Sequence, residues 1–274
     1  MPFWLLKGRF APQLGQPDGD SVRFIPDDPA PLFRLRRRGS APGINAGNGS
    51  VQLRYEGIDC LEKAAIQPYS SDATASNLGL VAPPQSEARG YICTNQLDPH
   101  GRPVCFVFSG NTQEADGARI HLGPEDIATS VNATQLDRGH AYPLFYDTLY
   151  ADLRLHLATV YANARQAGAG VWAADATTAG FAWNSNLAAL PPIFPKLWRR
   201  IDTYRHDETF FDPNNPAANL PAYIASLGEE RVLIVSQSKF TGFDDLVEVQ
   251  GASVRLVADP ADMIVVSEPA NASP

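Results

Sequence analysis

Apolar and polar residues alternate in short runs through the first part of the chain, which is the pattern of β-strands. Turn-forming residues separate these runs, and a turn at residues 98–101 joins the last two. The predicted strands cover residues 5–10, 22–25, 51–55, 89–94 and 102–108. The first part of the chain is therefore expected to form a β-sheet.

Farther along, apolar residues recur at spacings of three or four, which predicts helices. The strongest repeat covers residues 149–167 and ends at Gly168 and Gly170, which favour a helix stop. A second helix is predicted over residues 125–137. Beyond about residue 184 the composition shifts, and the pattern predicts an α+β extension. Its predicted helices cover residues 196–204 and 219–227, and its predicted strands cover residues 231–235, 254–257 and 263–266.

The pattern divides the chain into two parts. Residues 1–183 are expected to form the main domain, and residues 184–274 an extension whose role the sequence does not indicate. An insertion at residues 27–50 carries the densest cationic cluster of the chain, at residues 34–38. Either this cluster is a solvated loop, or it is an arm that holds a polyanion, with Arg36 and Arg37 as candidate substrate contacts.

Composition narrows the class of protein. Hydrophobic residues make up 44% and charged residues 19% of the chain, which is typical of a globular protein with a sizeable core. No apolar run approaches the roughly 20 residues needed to cross a bilayer, so we expect no membrane partner. The opening residues MPFWLLKGRF contain no small-residue cleavage site, so a cytoplasmic location is favoured over secretion. We expect a monomer.

Charge and cysteine usage weigh against several classes of site. The net charge of −8 argues against passive coating of nucleic acid, although an enzyme needs only a local cationic groove. The three cysteines form no CxxC pair, and the five histidines form no zinc-binding motif. The sequence also contains no P-loop, no GxGxxG after a strand and no GxSxG elbow.

Four short segments bring together residue types suited to phosphodiester chemistry: residues 17–22, 53–62, 98–104 and 164–172. Carboxylates such as Asp20 and Asp59 form a hard-oxygen site that suits Ca²⁺, which orients a phosphate and neutralises its charge. An arginine fork matches two phosphoryl oxygens, a role that suits Arg54 and Arg102. A glutamate near the metal, Glu62, can take a proton from water.

Each of these residues also has a purely structural explanation. Asp20 can belong to an ordinary β-turn, and Arg54 can form a structural ion pair with Asp59. Glu62 can cap the segment that follows it, and Arg102 can be a solvated arginine at the start of a strand. The combination of all five favours a catalytic site over these separate explanations.

In the order and content of these segments the chain resembles the staphylococcal nuclease (thermonuclease) family, over about residues 5–175. The most specific feature is R-x4-D-x2-E, formed here by Arg54, Asp59 and Glu62. The resemblance implies that Asp20 and Asp59 bind Ca²⁺ together with the backbone carbonyl of Cys60. It also implies that Glu62 is the general base.

The same resemblance implies how the substrate is held. Arg54 and Arg102 correspond to the two phosphate-binding arginines of the family. An aromatic side chain beside the substrate is expected after Gly139, and the candidates there are Tyr142, Phe145 and Tyr146.

The resemblance finally implies a fold and an activity. The fold is a five-stranded β-barrel of the OB type with flanking helices, so the chain is expected to be mainly β with α, followed by the α+β extension. The activity is calcium-dependent endonucleolytic hydrolysis of DNA or RNA, with single strands preferred and 3′-phosphate products. The alternative is a related barrel that binds nucleic acid or protein without catalysis, and the presence of all five site residues favours the enzyme.

Overall fold

A computed structural model gives the fold of residues 2–37, 39–63, 65–228 and 230–266, and within these ranges the chain is mixed α/β. The strands are β1 (Phe3–Phe10), β2 (Arg23–Pro26), β3 (Val51–Gln52), β4 (Arg54–Tyr55), β5 (Ile58–Asp59), β6 (Ala88–Leu97), β7 (Pro103–Ser109), β8 (Arg119–Ile120), β9 (Tyr142–Pro143), β10 (Phe145–Tyr146), β11 (Phe181–Ala182), β12 (Arg231–Ile234), β13 (Lys239–Gly242), β14 (Val247–Gln250), β15 (Ser253–Leu256) and β16 (Met263–Val265). The helices are α1 (Tyr69–Val81), α2 (Pro124–Ile127), α3 (Val131–Asp137), α4 (Ala151–Gln166), α5 (Pro195–Tyr204) and α6 (Leu220–Ser226).

A nearly closed, barrel-like sheet of six strands occupies the first part of the chain, in the order β3–β2–β1–β6–β7–β4. Neighbouring strands are antiparallel except β4 and β7, which are parallel with Arg54 opposite Val104. β3 and β4 are two halves of one segment on either side of Leu53, and this segment pairs with β2 at one end and with β7 at the other. The five segments predicted as strands therefore supply these six strands, and β8 pairs with β1 as a seventh strand of the sheet.

The predicted amphipathic helices are present, with one change. The helix predicted over residues 149–167 is confirmed as α4. The stretch predicted as one helix over residues 125–137 forms two helices, α2 and α3. The break occurs because Ser130 caps α3, where its hydroxyl accepts a hydrogen bond from the amide of Ala133 at 3.1 Å.

Helix α1 packs on the barrel through small and polar residues. Its buried positions Ser70, Ala73, Asn77 and Val81 are spaced by three or four, so the geometry is that of an ordinary packed helix. Only Val81 among them is a large apolar residue. The sequence therefore leaves this region open between helix and loop, because hydrophobic periodicity does not reveal such a face.

The part of the chain after residue 184 shares two sheets with the part before it. β16 pairs in parallel with β10, and β15 pairs antiparallel with β11. One hydrophobic core includes residues from both parts, for example Phe145 and Phe194. Whether residues 1–183 and 184–274 behave as separate domains stays a prediction. Within the described ranges, no helix has the length and apolar character needed to cross a membrane.

Candidate active site

The turn before β2 places two carboxylates side by side. Asp18 accepts a hydrogen bond from the amide of Asp20 at 3.2 Å, which is the chemistry of an ordinary Asx turn. Asp20 in turn accepts a hydrogen bond from the amide of Cys60 at 3.1 Å, across 40 positions of sequence. The turn is therefore both a local structure and one side of a long-range contact.

Two buried amide side chains hold the backbone of this turn. Asn77 of α1 donates to the carbonyl oxygen of Asp18 at 2.7 Å. Gln135 of α3 donates to the carbonyl oxygen of Gly19 at 2.7 Å. Gly19 leaves no room for a side chain, because a Cβ atom there would lie 2.7 Å from the Cβ of Cys60. The position of the turn is thus fixed by two helices and by the segment that follows β5.

Asp59 and Glu62 are bridged by an arginine from the last third of the chain. Asp59 ends β5, and its side chain is buried. Arg199 of α5 forms a bidentate ion pair with it, Nη1 to Oδ1 at 3.1 Å and Nη2 to Oδ2 at 2.7 Å. The Nη1 atom also donates to Oε1 of Glu62 at 3.0 Å. One guanidinium therefore contacts both the predicted metal ligand and the predicted base.

Four carboxyl groups converge at this place, and we call them the acidic site: Asp18, Asp20, Asp59 and Glu62. Asp18 and Asp20 are joined through the amide of Asp20, Asp20 contacts the amide of Cys60, and Asp59 and Glu62 share Arg199. Burial raises the pKa of the Cys60 thiol, and the charges of all four carboxylates raise it further. Burial also raises the pKa of Asp20, and the neighbouring carboxylates add to this effect. Like charges held together in this way favour the neutral form of one of the carboxyl groups.

Two guanidinium groups face the acidic site. Burial disfavours the charged form of Arg199, but Asp59 and Glu62 outweigh burial and raise its pKa, so Arg199 stays charged. Burial also acts against the charge of Arg54, yet its pKa is raised by Tyr146 and then by the carboxylates of the acidic site. The two guanidinium charges therefore offset part of the negative charge of the acidic site.

The two predicted phosphate-binding arginines start from neighbouring strands. Arg54 of β4 donates to the hydroxyl of Tyr146 at 3.4 Å, and its guanidinium lies 5.7 Å from the centre of that ring. Arg102 lies directly before β7, two residues before Val104, which is the register partner of Arg54. In the described part of the chain, Arg102 forms its ion pair with Asp98, at 2.6 Å, and none with the acidic site.

The aromatic candidates differ in burial. Tyr142 is fully buried, where its hydroxyl donates to Asp175 at 2.8 Å and its ring packs edge-on against Trp172 with 4.6 Å between ring centres. Phe145 is fully buried as well. A fully buried ring has no face to offer a substrate, so the structure leaves the half-buried Tyr146 as the aromatic candidate.

The basic insertion lies against β6. Arg36 forms an isolated parallel bridge with Gln96, and its carbonyl oxygen accepts a hydrogen bond from the amide of Leu97 at 2.7 Å. The side chains of Arg36 and Arg37 are exposed, and Arg38 lies outside the described residues. Both described arginines are thus accessible to an anion beside the barrel.

Two residues of this region are not found by the sequence argument. Glu56, directly after β4, is buried, and burial raises the pKa of its carboxyl to about 7, although Arg54 acts in the opposite direction. Arg199 lies 140 positions from its partner Asp59, and no motif connects them. For each residue the sequence offers one signal, a charged side chain at a predicted element. Glu56 directly follows a predicted strand, and Arg199 lies within a predicted short helix.

The donor types of the acidic site fit a hard cation such as Ca²⁺, whose usual ligands are carboxylate and carbonyl oxygens. Among the described residues, no three His, Cys, Asp or Glu side chains are arranged to hold a metal ion. Both oxygens of Asp59 are engaged by Arg199. A cation that binds through Asp59 must therefore share this carboxylate with Arg199 or displace it.

Two comparisons with known proteins were negative. No protein-family model matches the chain, and no curated protein matches its sequence. The function of the site therefore has to be inferred from its own residues.

Proposed function

We propose that the chain is a metal-dependent phosphodiesterase, a nuclease of the staphylococcal nuclease type that hydrolyses DNA or RNA. The observation that carries the proposal is a set of contacts: Asp20 accepts a hydrogen bond from the amide of Cys60, the residue after Asp59, and Asp59 and Glu62 share the guanidinium of Arg199. Carboxyl groups that are brought together and partly buried cost free energy in the absence of a cation. Such an arrangement is more typical of a functional site than of a structural one.

The barrel supports the same proposal. Five consecutive segments form its strands, and the segment at residues 51–55 connects β2 to β7. We infer that it is a five-stranded barrel of the OB type, a fold that presents a groove for single-stranded nucleic acid. The proposed substrate is therefore an unpaired strand, with Tyr146 stacking on a base and with Arg36 and Arg37 contacting phosphates.

In the proposed mechanism, Asp20, Asp59 and the backbone carbonyl of Cys60 would hold Ca²⁺, which would supply Lewis-acid polarisation of the phosphate. Glu62 takes a proton from the attacking water or fixes that water for in-line attack. For this step the carboxylate of Glu62 must be released from Arg199, because Nη1 of Arg199 donates to Oε1 of Glu62 and occupies this acceptor.

Two arginines hold the phosphate. Arg54 precedes Tyr55, whose amide donates to the carbonyl oxygen of Asp20, and Arg102 lies directly before β7, the strand that pairs with β4. Their forked N–H groups match the phosphoryl oxygens, on which negative charge increases in the transition state. Breaking the bond between phosphorus and the 5′-oxygen leaves a 3′-phosphate on one product.

Cleavage of single-stranded DNA by the full chain, first with Ca²⁺ and then with EDTA, tests the proposal. We expect cleavage with Ca²⁺ and none with EDTA. Glu62→Gln should lower kcat by about 10²–10⁴, the usual contribution of a positioned base. Arg102→Ala should lower the rate by about 10² or more, because a charge that stabilises the transition state is lost.

Matched controls come from two other ion pairs. Glu248→Gln removes a glutamate that pairs with an arginine at 2.6 Å, and Arg89→Ala removes an arginine that pairs with Asp27 at 2.6 Å. Both controls should cleave at the wild-type rate. Unchanged cleavage in Glu62→Gln and Arg102→Ala would overturn the mechanism, and no calcium-dependent cleavage of DNA or RNA would overturn the activity.

A second candidate function is binding of nucleic acid or protein without catalysis. The observation that favours it is the contact of Arg199 with both Asp59 and Glu62. If this arginine permanently takes the place of the metal, the barrel can still bind a partner through its surface but cannot hydrolyse a phosphodiester. In that case the full chain binds single-stranded DNA and leaves it uncut in the presence of Ca²⁺.

A further inference from the structure

The strongest charge contact in the acidic site comes from a residue that the proposed mechanism does not use. Arg199 donates three hydrogen bonds there, two to Asp59 at 3.1 and 2.7 Å and one to Glu62 at 3.0 Å. A planar guanidinium that bridges two carboxylates is held more strongly than a single surface ion pair. Arg199 therefore supplies positive charge to the carboxyl groups that would also bind a metal.

The position of Arg199 is set by the packing of its helix. In α5, Leu197, Ile201 and Tyr204 are fully buried, so this face of the helix is fixed in the core. The next residue, Arg200, pairs instead with Glu230 at 3.3 Å. Two consecutive arginines on one helix thus have different partners, and only Arg199 reaches the acidic site.

A metal ion and this guanidinium need the same atoms. Both Oδ atoms of Asp59 accept hydrogen bonds from Arg199, and an Oε atom of Glu62 accepts a third. A cation coordinated by Asp59 must displace at least part of this pairing, because two positive charges that close repel each other. Metal binding and the Arg199 pairing are therefore thermodynamically linked.

We propose that Arg199 is an intramolecular cation that competes with the divalent metal for Asp59 and so sets the metal affinity of the acidic site. The inference rests on the proposed metal site and adds a residue that determines its affinity. In the absence of metal, Arg199 neutralises Asp59 and Glu62 and keeps the site folded. A metal ion binds only when its interaction with Asp20 and Asp59 exceeds that of the guanidinium it replaces.

Calorimetric titration of the full chain with CaCl₂ at constant ionic strength tests this proposal. Arg199→Gln should bind Ca²⁺ about tenfold to hundredfold more tightly than the wild type, the range expected for coupling between neighbouring sites. Arg200→Gln is the matched control, because it removes the same charge from the next position of the helix and should leave the affinity unchanged. Without metal, Arg199→Gln should also melt several degrees lower than wild type, and Ca²⁺ should restore its Tm.

A conservative variant keeps the test valid if Arg199→Gln does not fold. Arg199→Lys keeps the positive charge but offers a single ammonium in place of the fork, so it should bind Ca²⁺ more tightly than the wild type does. Equal or weaker Ca²⁺ binding by the Arg199 variants, with the wild type binding normally, would overturn the proposal.

The outcome also separates this proposal from the proposed nuclease activity. If Arg199→Gln binds Ca²⁺ more tightly but the protein cleaves no nucleic acid, the proposed nuclease activity is wrong and the competition between Arg199 and the metal is supported. If the protein cleaves nucleic acid with Ca²⁺ and the wild type and Arg199→Gln have the same Ca²⁺ affinity, the nuclease activity is supported and the competition is overturned. Absence of Ca²⁺ binding in every variant would overturn both.

Discussion

Glu56 shows how burial alone changes the chemistry of one residue. Its side chain is 3% exposed, and burial raises the pKa of its carboxyl from 4.5 to about 7, although Arg54 and a hydrogen bond with Gln96 favour the ionised form. The folded state therefore holds the proton more tightly than the unfolded state does. This stabilisation is fully present below about pH 4.5 and is lost as the pH rises to about 7, by roughly 3 kcal/mol.

Substitution of Glu56 by glutamine should consequently become more favourable as the pH rises. Glutamine does not ionise, so the stability of Glu56→Gln relative to wild type should improve by roughly 3 kcal/mol between about pH 4 and pH 8. Urea unfolding at a series of pH values measures this difference. Glu248→Gln is the control, because the pKa of Glu248 is lowered by Arg255 and its replacement should show no such gain. Parallel pH profiles for Glu56→Gln and wild type would contradict the expectation.

At the same scale, the residues of the site differ in how far the sequence reveals them. The spacing of Arg54, Asp59 and Glu62 is local, so a motif finds them, and the structure brings the last two to one guanidinium. Arg199 is found only in three dimensions, because its contact with Asp59 spans 140 positions. A motif records neighbours along the chain, whereas the charge balance of a buried site depends on neighbours in space.

Among the elements, α1 and α3 hold the turn of the acidic site through buried amides. Gln135 of α3 donates to the carbonyl oxygens of Gly19 and Ala73, at 2.7 and 2.9 Å. Asn77 of α1 plays the same part at Asp18. Buried carbonyl groups that lose their donor are left without a partner, and each costs free energy.

Gln135→Ala should therefore destabilise the protein by about 1–3 kcal/mol, because it removes the donor from two buried carbonyl groups at once. Urea unfolding measures the loss. Asn163→Ala on α4 is the control, since it shortens an exposed amide on a helix and should change stability by less than about 0.5 kcal/mol. Equal stabilities of the two variants would show that the amide does not hold the turn.

The elements also show where periodicity succeeds and fails. The strands of the barrel are short apolar or alternating runs, and each is present near its predicted position. Hydrophobic periodicity does not predict helix α1, because most residues of its buried face are small or polar. β13 lies at the edge of its sheet and contains no buried residue, so it has no buried alternation that would predict a strand.

At the scale of the whole molecule, the part after residue 184 completes the part before it. β16 supplies a neighbour for β10, and β15 supplies one for β11. The ring of Phe194 packs against Tyr142 with 6.1 Å between ring centres. The change in composition near residue 184 predicts a boundary, but pairing across it involves residues far apart in sequence and leaves no local signal.

A chain that ends at residue 183 is therefore expected not to fold as a stable unit. The deletion exposes the edges of β10 and β11, which then lack hydrogen-bond partners, and it uncovers the apolar surface around Tyr142 and Phe145. It also removes Arg199, which leaves the buried carboxylate of Asp59 unpaired. Thermal melting followed by circular dichroism should show no cooperative transition near the Tm of the full chain.

A chain that ends at Val266 keeps every described element and should melt as the full chain does. Cooperative melting of residues 1–183 within a few degrees of that temperature would instead make the two parts independent domains, and the bridge from α5 to the acidic site would then contribute nothing to the fold.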